Sequence, residues 1–335
     1  MKRAIILSAL LVTGFNLPAQ NTIDFVLKAV EKNNTTLSAI RDKADADKLG
    51  YKTGLFLNNP EAEFNYLWGN PSTIGNRTDF SMKQSFDFPT AYSYRNEISD
   101  LKGEQAELEY QKQRREILLQ TQLVCIELIY KNALKVELGK RLNNATQIAG
   151  AYKSKFTMGD VSILEYNKAQ VNLLNIRKEA ETNEIERNGL LSELTSLNGG
   201  KRIGFNDSIF IHASISPDFE QWYAQAEQGN PVLQWIKREI AVSRKEKQLS
   251  TALSLPKFNA GYMSEKVAGQ AFEGITIGVS VPLWENRNTV KYAKAKTIAV
   301  QSMEVDAKLQ FYSQMKTLHA KAISLQNSLT DYRQN

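Results

Sequence analysis

VSVPLWENRN, residues 279 to 288, joins two kinds of sequence that seldom meet without a loop between them. Upstream, Ile275, Ile277, Val279 and Val281 alternate with Gly274, Thr276, Gly278 and Ser280. That period of two predicts a strand with one apolar face and one small or polar face. Downstream, Asn288 to Gln301 is rich in Ala and Lys and favours helix. Pro282 has no N–H to give a ladder, so it suits the place where strand pairing ends. A two-faced strand therefore runs almost directly into a helix.

The same junction occurs earlier in the chain as QSFDFPTAYSYRNE, because the sequence is written twice. At a spacing of 196, Asn34, Leu37, Ile40, Pro60 and Tyr66 meet Asn230, Leu233, Ile236, Pro256 and Tyr262. With three residues fewer between the strands of the second copy, Phe86, Phe88 and Pro89 meet Val279, Val281 and Pro282. Each copy reads helix, strand, turn, strand, long helix. The predicted organisation is a first repeat over 20–200, a linker over 201–216 and a second repeat over 217–335.

Four strands are expected from alternation. In EAEFNYLW, Ala62, Phe64, Tyr66 and Trp68 oppose Glu61, Glu63, Asn65 and Leu67. In DFSMKQSFDF, Phe80, Met82, Phe86 and Phe88 oppose Asp79, Ser81, Lys83, Ser85 and Asp87, with Gln84 the polar exception on the apolar side. KFNAGYMSE repeats the pattern, and the run from Gly274 completes it. These lengths approach the roughly 9 to 11 residues of a tilted membrane-crossing strand. On that reading Phe64, Tyr66, Phe80, Ile275, Ile277 and Val279 face lipid, while Asp79, Lys83 and Asp87 face a barrel lumen. An ordinary antiparallel sheet lying on a soluble core explains alternation equally well. The connections GNPSTIGN and KVAGQAFEG suit hairpins. Four strands cannot close a barrel, and lipid does not tolerate an open edge, so the membrane reading requires several chains.

The helices are long. Between Thr90 and Lys155 there is no proline, which predicts a rod near 100 Å at roughly 1.5 Å per residue. Ile117, Leu118, Val124, Cys125, Leu128 and Ile129, with Thr121 between them, mark a face that needs partner helices. A helix from about Thr22 to Leu57 and another from about Val161 to Leu197 are the expected partners. The fold class is therefore mainly α with a four-stranded β contribution, internally duplicated.

The opening MKRAIILSALLVTGFNLPAQ has the layout of a secretory signal peptide over 1–19, too short in its apolar run to span a bilayer. The single cysteine, Cys125, excludes a disulfide within the chain and reads as a small hydrophobe. A net charge of +6, spread along 335 residues, does not indicate nucleic-acid binding. His212 and His319 stand in no metal-ligand spacing and read as surface residues. No phosphate loop, dinucleotide fingerprint or nucleophile elbow is present, so neither an enzyme nor a cofactor is expected.

In the duplicated helix-strand-strand-helix unit, in both strand-to-helix junctions and in YKSKFTMGDVSILEYNKAQVNLL at 152–174, the sequence resembles the TolC-like family of outer-membrane efflux proteins. The last stretch is similar to the family's periplasmic hairpin tip. Phe156, Gly159, Asp160, Ser162 and Leu164 are then the adaptor-contact residues, with Glu165, Ala169 and Gln170 on the return helix. Gly159 suits the turn, and Asp160 or Ser162 can cap that helix.

The resemblance implies a homotrimer in which twelve strands form one transmembrane barrel and long helical hairpins form a periplasmic tunnel. It also implies a periplasmic adaptor protein, an inner-membrane pump and residence in outer-membrane lipid. One departure is expected. The second long helix begins near Asn288, and Asn335 is reached before a counterpart of Gly159, so the second return helix is absent, as in a truncated product or fragment. The competing expectation is an exported helical structural protein without channel activity.

Overall fold

A computed structural model describes residues 22–210 and 215–334, in the order α1(Thr22–Asn33), α2(Thr35–Tyr51), β1(Glu61–Leu67), β2(Arg77–Phe86), α3(Thr90–Met158), α4(Ile163–Leu197), α5(Phe219–Gly229), α6(Pro231–Ala252), β3(Lys257–Val267), β4(Gln270–Ser280) and α7(Thr289–Gln334). The described residues are thus mainly helical with four strands, and the duplicated order is visible in the elements. The leader expected at 1–19 and His212 lie outside the described residues.

The single N-terminal helix expected from Thr22 to Leu57 is two helices, broken at Asn34. The Asn34 N–H still donates to the Val30 carbonyl, but its side-chain oxygen takes the Leu37 N–H and its amide donates to the Leu197 carbonyl. A side chain that bonds its own backbone in this way ends one helix and caps the next. Asn230 does the same between α5 and α6, accepting from Val232 and Leu233. The repeated Asn-x-x-Leu is therefore a helix break.

Two compact units group the helices differently from the sequence repeats. In the first, residues 22–37 and 114–210, α1 and α4 pack on α3 around Val26, Val30, Val124, Cys125, Leu128, Ile129 and Leu194. Phe205 from the connection after α4 completes this core, and the buried Asn132 amide donates to the Phe205 and Asp207 carbonyls at 3.3 and 2.9 Å. Thr121 is buried on the same face, its hydroxyl bonded to the Ile117 carbonyl.

The second unit, residues 38–113 and 215–334, contains the sheet, α2, the start of α3, and α5 to α7. Ile236, Ile240 and Val300 join α6 to α7. His319, expected at the surface, is buried against Phe219 and Trp222, with Nε2 2.8 Å from the Ser216 carbonyl. Beyond His319 no described residue of α7 is buried, and Leu325 and Leu329 stand exposed.

An ionic clamp ties α2 to α3. Arg41 donates to both oxygens of Glu107 at 2.8 Å while its guanidinium lies 3.7 Å from the Tyr110 ring centre, and Lys48 reaches the same carboxylate at 2.6 Å. The Arg41 guanidinium holds the Glu107 carboxyl well below the usual carboxylate range. A depressed folded pKa means that this pairing stabilises fully above the unfolded value of about 4.3 and is lost as pH falls below it. Glu107→Gln is expected to lower stability at pH 7 by about 1 to 2 kcal/mol, discounted for a carboxylate about one-third exposed, and to flatten the loss below about pH 4. Thermal melts of both proteins from pH 7 to pH 3 check this.

Candidate functional site

The four strands form one antiparallel sheet in the order β1-β2-β3-β4. The β1–β2 hairpin pairs Phe64 with Phe80 and Ala62 with Met82. The β2–β3 contact continues these rows, Met82 to Tyr262 and Phe86 to Phe258, and β3–β4 extends them to Ile275 and Val279. Directly paired residues project to the same face. One face therefore carries Phe64, Tyr66, Phe80, Met82, Phe258, Tyr262, Ile275, Ile277 and Val279.

The expected connection over 266–274 is shorter in fact. Lys266 and Val267 pair with Ala271 and Gln270, leaving only Ala268 and Gly269 in the turn, at φ 49° and 86°. Two successive positive φ values are the mark of a tight two-residue hairpin, whose twist matches that of the strands. β4 consequently begins at Gln270, and the strands span 7, 10, 11 and 11 residues.

No residue of the four strands is buried. Phe64 is 66% exposed, Ile277 79% and Ile275 82%, so no described residue covers the apolar face. An ordinary sheet on a soluble core would bury that face. The band ends toward the hairpin turns, where Ser264 pairs with Glu273 and Thr78 with Lys266. Tyr66 and Trp68 meet edge to face there, with ring centres 5.3 Å apart.

The opposite face is mostly polar, with Leu67, Met263, Val267 and Phe272 as exceptions in its half nearer the turns. Asp79 pairs directly with Glu265, a repulsive neighbour relieved by Arg77, which reaches Asp79 at 2.7 Å and Glu265 at 3.2 Å. Asp79 is legible in the sequence without its partners, because Glu265 lies on β3 and Arg77, two residues before Asp79 on β2, precedes the alternating run DFSMKQSFDF. Lys83 stands on this face, exposed. Asp87 does not lie in a strand. It sits in the link to α3, where Arg95 of the first helical turns reaches it at 2.5 Å and the Tyr92 hydroxyl accepts its N–H.

The helical tip is built by α3 and α4. Gly159 has φ 82°, its N–H donates to the Phe156 carbonyl, and the Asp160 N–H donates to the Lys155 carbonyl. This pair of bonds closes α3 on a left-handed residue that favours glycine. Ser162, not Asp160, caps α4: its hydroxyl takes the Glu165 N–H, and the Glu165 carboxylate takes the Ser162 N–H. The Ser162 N–H holds the Glu165 carboxyl below its ordinary value.

Phe156 stacks on Tyr166 at 5.4 Å and is still partly open to solvent, so the exposed apolar residues of the tip are Phe156, Met158, Ile163 and Leu164. Ser162→Ala is expected to fray the first turn of α4, read as faster amide exchange at Glu165 and Tyr166 with exchange in the distant Leu194 turn unchanged.

Among the described residues no group of three or more His, Cys, Asp or Glu could hold a metal, and no helix is long and apolar enough to cross a membrane. No protein-family model matches the chain. No curated protein matches it. Solved structures do. The outer membrane protein VceC of Vibrio cholerae superposes with a TM-score of 0.72 at 10% identity, over 93% of this chain and 82% of that one. The outer-membrane channel OprN gives 0.70 at 14% identity, over 93% and 76%. The CmeC outer membrane channel of Campylobacter jejuni gives 0.63 at 15%, over 94% and 75%. Coverage of nearly the whole chain takes in the sheet, both junctions and the long helices together, and the chain has the fold of the TolC-like outer-membrane efflux channels.

Proposed function

We propose that the chain is a subunit of an outer-membrane efflux channel, a passive conduit in a tripartite system. The observation that carries this reading is the sheet, apolar on one exposed face and polar on the other, with β1 and β4 as free edges. In water such a sheet presents both an apolar patch and two templates for uncontrolled pairing. In a bilayer the apolar face is solvated by lipid, and the edges must close on other copies. Three copies would supply twelve strands and one barrel, with Asp79, Arg77, Glu265 and Lys83 wetting its lumen. The long helices would form the periplasmic wall, and their exposed apolar residues, such as Leu123, Ile126 and Leu309, would be covered there by neighbouring helices. The tip at Met158 to Leu164 would meet a periplasmic adaptor attached to an inner-membrane pump.

Carbonate washing of membranes from expressing cells tests the reading. A barrel subunit stays in the washed outer-membrane fraction. Release into the wash would instead favour an exported helical structural protein.

A further inference from the structure

The second unit carries a groove of about 750 Å³ where strands pass into helices. Its apolar lining comes from Phe88, just after β2, Tyr94 near the start of α3 and Ile298 near the start of α7. Its charged lining is Arg244 and Lys247 of α6 and Lys294 of α7, with no Asp or Glu. Neighbouring cations are paired: Lys245 with Glu97, Arg238 with Glu104 at 2.7 Å, and Lys296 with Glu246 at 2.6 Å. Arg244, Lys247 and Lys294 are exposed and make no ion pair among the described residues. Three unneutralised cations beside an apolar wall complement an anion joined to an apolar body, and guanidinium and ammonium groups suit phosphate oxygens.

Phe88 follows the end of β2 by two residues, and Leu255, also in the lining, precedes β3 by two. If the sheet is a barrel wall, the groove lies level with the headgroups of the periplasmic leaflet. We infer that it binds the phosphate headgroup of an anionic phospholipid in that leaflet, an inference that rests on the barrel reading above. Each cation near an anionic lipid surface strengthens binding roughly fivefold, so removing three weakens it on the order of 100-fold.

The full chain in neutral detergent, titrated with phosphatidylglycerol and followed by native mass spectrometry, tests this. The wild type is expected to retain phosphatidylglycerol and not phosphatidylcholine. The triple variant Arg244→Gln, Lys247→Gln, Lys294→Gln is expected to lose about 100-fold in affinity. Thr251→Trp, which fills the groove and keeps the cations, is expected to lose retention as well. Equal retention of both lipids, or unchanged retention by the triple variant, overturns the inference. Complete displacement by millimolar inorganic phosphate also overturns it, in favour of a free anion. A smaller assembly in the triple variant with lipid binding intact reassigns the groove to a neighbouring copy. Wild-type protein held in carbonate-washed outer membranes while lipid selectivity fails sinks this inference alone; wild-type protein released by the wash sinks the barrel reading and this inference with it.

Discussion

Ile277→Arg is expected to remove the protein from the outer-membrane fraction, while Ser85→Arg leaves it there. Ile277 lies in the apolar run of β4 between Ile275 and Val279, in the row with Ala260 and Gln84, and is 79% exposed. Ser85 stands one position along β2 from that row, on the other face, in register with Asn259 and Gly278. An arginine on the lipid face at mid-depth costs about 2 to 4 kcal/mol per chain, whereas lumen positions tolerate charge. If the barrel takes three copies, the cost is roughly threefold, comparable with the whole stability of many domains. A sheet exposed to water predicts the reverse, since a charge replacing an exposed isoleucine would raise soluble yield. Quantifying both variants in carbonate-washed membranes separates the two.

Gly261→Val is expected to break the sheet between its two hairpins. Among the described residues, the β2–β3 pairing alone joins the first repeat's hairpin to the second's. A Cβ added at Gly261 would lie 2.3 Å from the Met82 carbonyl oxygen and 3.0 Å from Thr276 Oγ1. The Met82 carbonyl belongs to the ladder and cannot move without loss of pairing. Overpacking of this kind costs about 1 to 3 kcal/mol where side chains can yield, and backbone atoms yield less. The expected result is loss of the membrane-inserted form and protease sensitivity between residues 77 and 86. Gly274→Val, whose Cβ meets nothing within 4 Å, is the tolerated control.

Much of this fold could be read in the amino acids because alternation and helical period are local signals. Phe64, Phe80 and Ile277 announced a two-faced strand before any partner was known, and pairing placed them on one face. The long helices were equally legible, α3 to within three residues at its end. Asn34 and Asn230 were visible as a repeat, but their role as helix breaks depends on a side chain capping the next turn, and in Asn34 also on the distant Leu197 carbonyl. Phe205 was hidden because an apolar residue in a connection carries no periodicity. His319 was misread for a similar reason, since its aromatic neighbours come from a helix about 100 positions earlier. The cationic groove was invisible, as Arg244, Lys247 and Lys294 belong to two helices and meet only in the folded unit. The sheet left one ambiguity in sequence, whether its apolar face lies on a core, and the exposure of Ile275 and Ile277 answers it.

In the proposed barrel, β1 of one copy closes on β4 of another. Burial pushes the Cys125 thiol up to about 11, so this single native cysteine is protected from maleimides and engineered ones react selectively. With Glu63→Cys on β1 and Gly274→Cys on β4, a flexible bis-maleimide applied to washed outer membranes should give a ladder ending at three chains. Cross-linking confined to single chains, in protein that has reached the membrane, would contradict the shared barrel.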